Sequence, residues 1–477
     1  MIAPDLRRNY LYTVVMQCVS MLTPLITAPY VARVLGSEGV GTFSYVQSVA
    51  TVFSLFAALG LSAYGLREVS RVRDDAVAVS RLFWELTRLR FVTTLVTLAL
   101  YALLCFRVED WRLYGAMGLL ILATGLDLTW FFQATERFGT LMLRHLAVKG
   151  IGVVLIFAFV RDGADVTAYA LIQTATTLLS NLLLWPRLRG VVGRCFVGRF
   201  SAHLRPSLVY FVPAVATSVY TVLDKTMLGL LARDMSQNGY YESAHKIIRL
   251  LLAAVTSLNV VVGVRTSYLF GQKREDEVRG HLLDTYRFTC ALAFPLWGGL
   301  MACADGFAVS FFGADFAAVG GMLRLFSPLL FLIGTGNVLG GLYLTPGGYR
   351  RRSNRAIFTG AAVNVVLNLL LIPRFGGYGA VAASVAAETA ITALYLYFTH
   401  PFLSAWRLLR VAGRYALYGV TVFAAARIPT WWMPPTFATV LVQTAVGVLV
   451  YGALLIGLRD PIRDVWKRLR RGGDRDA

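Results

Sequence analysis

The sequence predicts an all-α integral membrane protein with about fourteen transmembrane helices, arranged as two six-helix lobes in parallel repeat around a central cavity, plus two C-terminal helices. Three observations carry this reading. Of 477 residues, 57% are apolar and only 15% are charged, and the mean hydropathy is +0.62. Runs of roughly 20 apolar residues, the length that crosses a bilayer core, recur between polar joints. The 46 Lys and Arg against 26 Asp and Glu collect on alternate joints, which makes the net charge a topology signal rather than the mark of a nucleic-acid binder.

In chain order the expected spans are 10–34, 39–65, 88–106, 113–133, 143–160, 167–185, 206–231, 239–264, 286–304, 322–345, 355–373, 378–399, 412–428 and 436–458. The first follows a short segment with Arg7 and Arg8 and lacks a small-residue cleavage site, so it reads as a retained helix. With the N-terminus inside, the inner segments hold 35 of the 46 basic residues, while the outer joints and their flanks hold seven. That bias puts both termini in the cytoplasm, and the basic loops would also rest against anionic lipid head groups.

An internal repeat supports the lobes. VARVLGSEGVGTFSY, from Val31, lies over LARDMSQNGYYESAH, from Leu231, with Gly39 on Gly239. VRDGADVTAYAL, from Val160, likewise lies over IPRFGGYGAVAA, from Ile372. Six spans separate the matched joints, and an even number preserves orientation, so the halves are parallel repeats able to rock about a midplane cavity. The expected division is an N-lobe at 1–200, a C-lobe at 201–400, and terminal helices with a basic tail at 401–477.

Ionisable groups are costly inside a bilayer and should face a cavity or a partner. Asp224 and Lys225 stand late in the seventh span and Lys246 early in the eighth, at similar depths in the outer third. Glu242, Lys246 and Arg249 follow i, i+4, i+7 and share one helical face. Together they form either a salt-bridge network or a cationic wall suited to an anionic ligand. Arg33 at the outer end of the first span either snorkels or touches ligand, and Arg67 with Glu68 is either a positive-inside flank or an inner gate. Asp127 and Glu388 are candidates for a structural partner or for a proton- or sodium-linked carboxylate. Asn364 and Asn368, at i, i+4, suit interhelical hydrogen bonding. Pro24, Pro29 and Pro213 mark bends in the spans that start each lobe.

Cys18, Cys105, Cys195, Cys290 and Cys303 show no metal or disulfide spacing. There is no phosphate-binding loop, nucleophile elbow or HExxH helix. The longest expected outer joint, about 305–321, carries Asp305 and Asp315 without a basic group. Transport is therefore expected rather than catalysis, with no cofactor.

PLITAPYVARVLGSEGVGTFSY from Pro24, YGLREVSRVR from Tyr64, LDLTWFFQATERF from Leu126, LDKTMLGL from Leu223, GYYESAHKI from Gly239 and NVVLNLLLIPRFGGYGAVAASVAAE from Asn364 resemble the bacterial polysaccharide transporter family. That family includes the Wzx-type O-antigen and capsule repeat-unit flippases of the MOP superfamily. The resemblance implies a flippase of the bacterial inner membrane that moves an undecaprenyl-diphosphate-linked oligosaccharide from the cytoplasmic to the periplasmic leaflet. It also implies a polysaccharide polymerase and a chain-length regulator as candidate partners, and no nucleic acid. A diphosphate with hydrophilic sugars needs a polar, cationic enclosure while the lipid tail stays in hydrocarbon. Arg33, Arg67, Asp127, Asp224, Lys225, Glu242 and Lys246 lie within the matching motifs; Arg249 and Arg324 are added from depth alone.

Three other readings share parts of this pattern. A lipid II flippase would have the same fold and cationic cavity. A cation-coupled multidrug exporter would need an acidic, aromatic one, against the Lys and Arg excess of the second lobe. A membrane glycosyltransferase or polymerase would need a larger polar outer loop.

Overall fold

A computed structural model describes residues 6–193, 198–434 and 436–462. Cys195 and the basic tail beyond residue 462 lie outside the described residues. The described residues are mostly helical, without a β-strand among them, as a bilayer requires when each backbone N–H and C=O must be satisfied within its own segment. The chain divides into two compact units, one of residues 1–230 with 234–239, the other of residues 231–233 with 240–477.

In the first unit, α1 (Leu6–Ala58) runs through the first two expected spans. The outer joint between them has no loop. Only Gly36 leaves helical geometry, at φ +70° and ψ 177°, a conformation that glycine adopts without a Cβ clash. Pro24 and Pro29 both lie within α1. Leu59 and Gly60, both at positive φ, turn the chain into α2 (Leu61–Arg71). Asp75 then caps α3 (Ala76–Cys105) by accepting the amides of Val77 and Ala78 at 2.9 and 3.0 Å. That cap starts the helix twelve residues before the expected span, with consequences for Arg90. The expected fourth span is broken into α4 (Trp111–Gly125) and α5 (Thr129–Ala134). α6 (Phe138–Phe159), α7 (Val166–Leu182), a 3₁₀ turn (Phe200–His203), α8 (Leu204–Thr221) and α9 (Leu223–Leu231) complete the series. Val69, Phe83, Leu86, Phe131 and Phe132 form a buried hydrophobic cluster in this unit.

The second unit takes in most of α10 (Ser236–Val255), then α11 (Ser257–Gly271) and the 38-residue α12 (Glu275–Phe312). α13 (Ala318–Phe326) and α14 (Leu329–Gly336) lead into a π-helical stretch, Asn337–Leu344. α15 (Arg350–Phe375), α16 (Gly377–Thr399), α17 (Ala405–Arg427) and α18 (Phe437–Gly457) follow. α13, α14, α17 and α18 all pack along α12, and α15 lies against α16. Helices in lipid gain little from apolar burial between them and associate through close packing. Gly298 and Gly419 show this: the Gly419 carbonyl occupies the space a Cβ on Gly298 would need.

Among the described residues, nine helical segments are long and apolar enough to cross a membrane. Because the segment Leu11–Arg71 contains two expected spans, these account for ten of the fourteen. The other four expected spans coincide with α7, α8–α9, α10–α11 and α17. α7 has only 17 residues, α8 and α9 part at Val222, α10 and α11 part at Thr256, and α17 opens on Arg407, Arg410 and Arg414. The expected outer joint at 305–321 shortens, because α12 stays helical to Phe312.

Candidate functional site

The polar side chains form local assemblies, each inside one unit. The first surrounds the gap between α4 and α5. Asp127 Oδ1 accepts the Thr129 amide at 2.9 Å, two residues on, in the turn that leads into α5. From α3, Arg90 donates through Nη1 to the Asp127 carbonyl at 3.0 Å and through Nη2 to Ser62 Oγ at 3.0 Å. Its Nη2 also stands 3.8 Å from Asp127 Oδ2. Arg90 is 3% exposed. From α6, Arg144 donates to the Ser180 carbonyl at 3.1 Å and to Thr129 Oγ1 at 3.5 Å. Two guanidiniums therefore flank one carboxylate, and the local balance is cationic. Arg90 Nε, Arg144 Nε and Trp130 Nε1 are buried donors without a protein acceptor.

Asp127 thus has an arginine partner in Arg90. The arginine itself was missed. The expected third span, 88–106, put Arg90 in its first turn, at the basic flank, whereas the Asp75 cap starts α3 at Ala76 and carries Arg90 into a buried turn in mid-helix.

A second assembly lies between α2, α3 and the start of α8. Arg67, exposed on α2, donates to Tyr210 Oη at 2.6 Å. Tyr64 Oη lies 3.0 Å from His203 Nδ1, His203 Nε2 lies 2.9 Å from Glu85 Oε2, and Arg81 Nε donates to Glu85 Oε1 at 3.2 Å. Of these only Arg67 was singled out from the sequence; His203 and Glu85, 118 residues apart, had no local signal linking them.

A third runs along α1 beyond the Gly36 break. Asp224, 1% exposed, and half-buried Lys225 open α9, not a point deep within a continuous span. Asn238 Nδ2 donates to the Lys225 carbonyl at 2.8 Å, and Ser48 Oγ lies 2.8 Å from Thr226 Oγ1. Gly41 packs so closely on Met235 that a Cβ would overlap the Met235 carbonyl, and Gly239 does the same against Ser37. Arg33 is exposed, three residues before the Gly36 break.

In the second unit, Lys246 Nζ lies 3.3 Å from Glu242 Oε1, with the glutamate side chain 7% exposed. Arg249, on the next turn of α10, is exposed. Glu388 is half-buried on α16. Asn368 Nδ2 donates to Asn364 Oδ1 at 3.2 Å, both residues fully buried. This bond lies within α15. Arg324 forms an ion pair with Asp305 of α12.

The comparisons with known proteins agree with one another. The family model described as polysaccharide biosynthesis protein matches residues 6–263. Over 417 residues the chain is 25% identical to a protein of Escherichia coli (strain K12) named as an O-antigen transporter, covering 83% of this chain and 96% of that one. It is 19% identical over 390 residues to a Haloferax volcanii protein named as a low-salt glycan biosynthesis flippase, Agl15, covering 79% of each. Among solved structures, the fold is similar to lipid II flippase MurJ in an inward closed conformation, with TM-score 0.74, 15% identity, and coverage of 95% of this chain and 100% of that one. It is also similar to an inward-facing MATE transporter of the MOP superfamily, with TM-score 0.60, 14% identity, and coverage of 84% and 98%. A multi-pass helical membrane protein with this fold, matched by the family model over more than half its length, belongs to the polysaccharide biosynthesis protein family.

Proposed function

We propose that the protein is a flippase that carries an undecaprenyl-diphosphate-linked oligosaccharide from the cytoplasmic to the periplasmic leaflet of a bacterial inner membrane by alternating access. The observation that carries this reading is the similarity, over 83% of this chain and 96% of the relative, to a protein named as an O-antigen transporter. The geometry supports it with charge set into membrane helices: Arg90 and Arg144 about Asp127, and Lys246 on Glu242. Such groups are kept in a bilayer where they pair with one another or meet a polar ligand. Arg33, Arg67, Lys225, Lys246 and Arg249 are the candidate contacts for the diphosphate and acidic sugars, with Asp127 and Glu388 as candidates for proton or sodium coupling. The concentration of basic residues on alternate joints supports a cytoplasmic location for both termini in this reading.

The test is a reconstituted assay with a fluorescent lipid-diphosphate oligosaccharide, scoring which leaflet it occupies with and without a proton or sodium gradient. Protein-dependent change of leaflet without change of lipid mass supports the flippase. Movement of lipid II alone would move the chain to peptidoglycan, and movement of a cationic dye alone would make it a drug exporter.

A further inference from the structure

His203 is held at both ring nitrogens, by Glu85 Oε2 at 2.9 Å and Tyr64 Oη at 3.0 Å, with Glu85 8% and His203 13% exposed. A carboxylate can only accept, so Nε2 carries the hydrogen that faces Glu85. A phenol can both donate and accept. In neutral His203, Tyr64 O–H therefore donates to Nδ1. When one proton adds at Nδ1, that N–H donates to Tyr64 Oη, and the phenolic hydrogen turns away. The ring gains a charge without losing a hydrogen bond. The three groups come from three elements: Tyr64 from α2, Glu85 from α3, and His203 from the turn that begins α8. Arg81 of α3 also bonds Glu85, and Glu68 of α2 and Tyr210 of α8 face Tyr64, with Arg67 bound to Tyr210. Gly198 packs beside Glu85 and Arg81, where a Cβ would come 3.0 Å from Arg81 Nη2.

We infer that Glu85, His203 and Tyr64 form a proton-binding site that fastens the start of α8 to α2 and α3. Protonation turns the His203–Glu85 hydrogen bond into an ion pair and tightens the fastening; deprotonation loosens it. The site stands independently of what is transported, so its test needs no substrate.

The full-length protein, labelled with ¹³C at histidine Cε1, is titrated from pH 5 to 8.5 in detergent micelles, with the His203 signal assigned by its loss in His203→Gln. A nitroxide pair at exposed Leu100 and Leu208, in a cysteine-free background, reports the distance between α3 and α8 over the same range. The His203 signal and the nitroxide distance change together over this range, the distance change is absent in His203→Gln, and Glu85→Gln moves it to lower pH. A His203 signal that does not titrate, a distance change unmoved by Glu85→Gln, or a distance change that persists in His203→Gln overturns the inference.

Discussion

Arg90 holds Asp127 at two points, its Nη1 bonded to the Asp127 carbonyl at 3.0 Å and its Nη2 3.8 Å from the carboxylate. One buried guanidinium thereby satisfies both the backbone and the side chain of an interrupted membrane helix. Arg90→Met should destabilise the protein by about 3–5 kcal/mol, the usual cost of breaking a buried pair from one side. Asp127→Asn should cost at least as much, because it leaves the buried Arg90 guanidinium without its counter-charge even though an amide oxygen still accepts the Thr129 amide. Thermal unfolding of both variants in one detergent ranks them; a much smaller loss for Asp127→Asn would contradict the pairing.

The same logic applies to Glu242 and Lys246. Lys246→Met leaves the buried carboxylate without its lysine and should cost about 1–3 kcal/mol, while Glu242→Gln/Lys246→Met recovers most of that. Flipping should stay slow in both variants if Lys246 meets the substrate. Recovery of transport along with stability would assign the lysine a structural role only.

A folded, correctly inserted Lys225→Ala/Lys246→Ala double variant should flip a lipid-diphosphate oligosaccharide at least tenfold more slowly than wild type, about 1.4 kcal/mol in the barrier. Wild-type flipping by that variant would remove both lysines from the substrate path.

Gly41 and Gly239 should be intolerant of any side chain, since each would strike a backbone carbonyl. Gly41→Ala should lower stability by about 1–3 kcal/mol, and Gly41→Val by more. Gly115, with nothing near its Cβ position, is the control, where alanine should be neutral or stabilising.

Asp165 accepts the backbone amides of Arg161 and Asp162 in the turn before α7, at 2.8 and 3.1 Å. These bonds hold its carboxyl below the usual aspartate value of 3.8. The unfolded chain protonates first as pH falls, so the turn is fully supported above 3.8 and loses that support as pH drops through the lower folded value. Asp165→Asn should abolish this acid dependence, read from amide signals of residues 161–165.

Helix identity was legible because it rests on local composition. The family was legible through short motifs. What escaped was register at helix ends. Asp75 followed by Ala76 is a readable N-cap signal, and using it would have moved Arg90 from a solvated flank into α3. The break at Asp127 is harder: Leu126 and Leu128 continue the apolar run, and only the carboxylate's bond to Thr129 and the reach of Arg90 select the gap. His203 met Glu85 through tertiary packing, which no spacing rule reports.

The π-helical stretch at Asn337–Leu344 has a bearing on sequence alignment. Each such turn holds one residue more than an α-turn, here closed by the Thr345 amide reaching five residues back to the Gly340 carbonyl at 3.0 Å. The extra residue rotates everything after it by roughly 100° relative to an uninterrupted α-helix. A relative that is one residue shorter here would relax to plain α-helix and keep the same residues facing the bundle. A single-residue gap placed anywhere else in this helix would turn its buried face toward lipid.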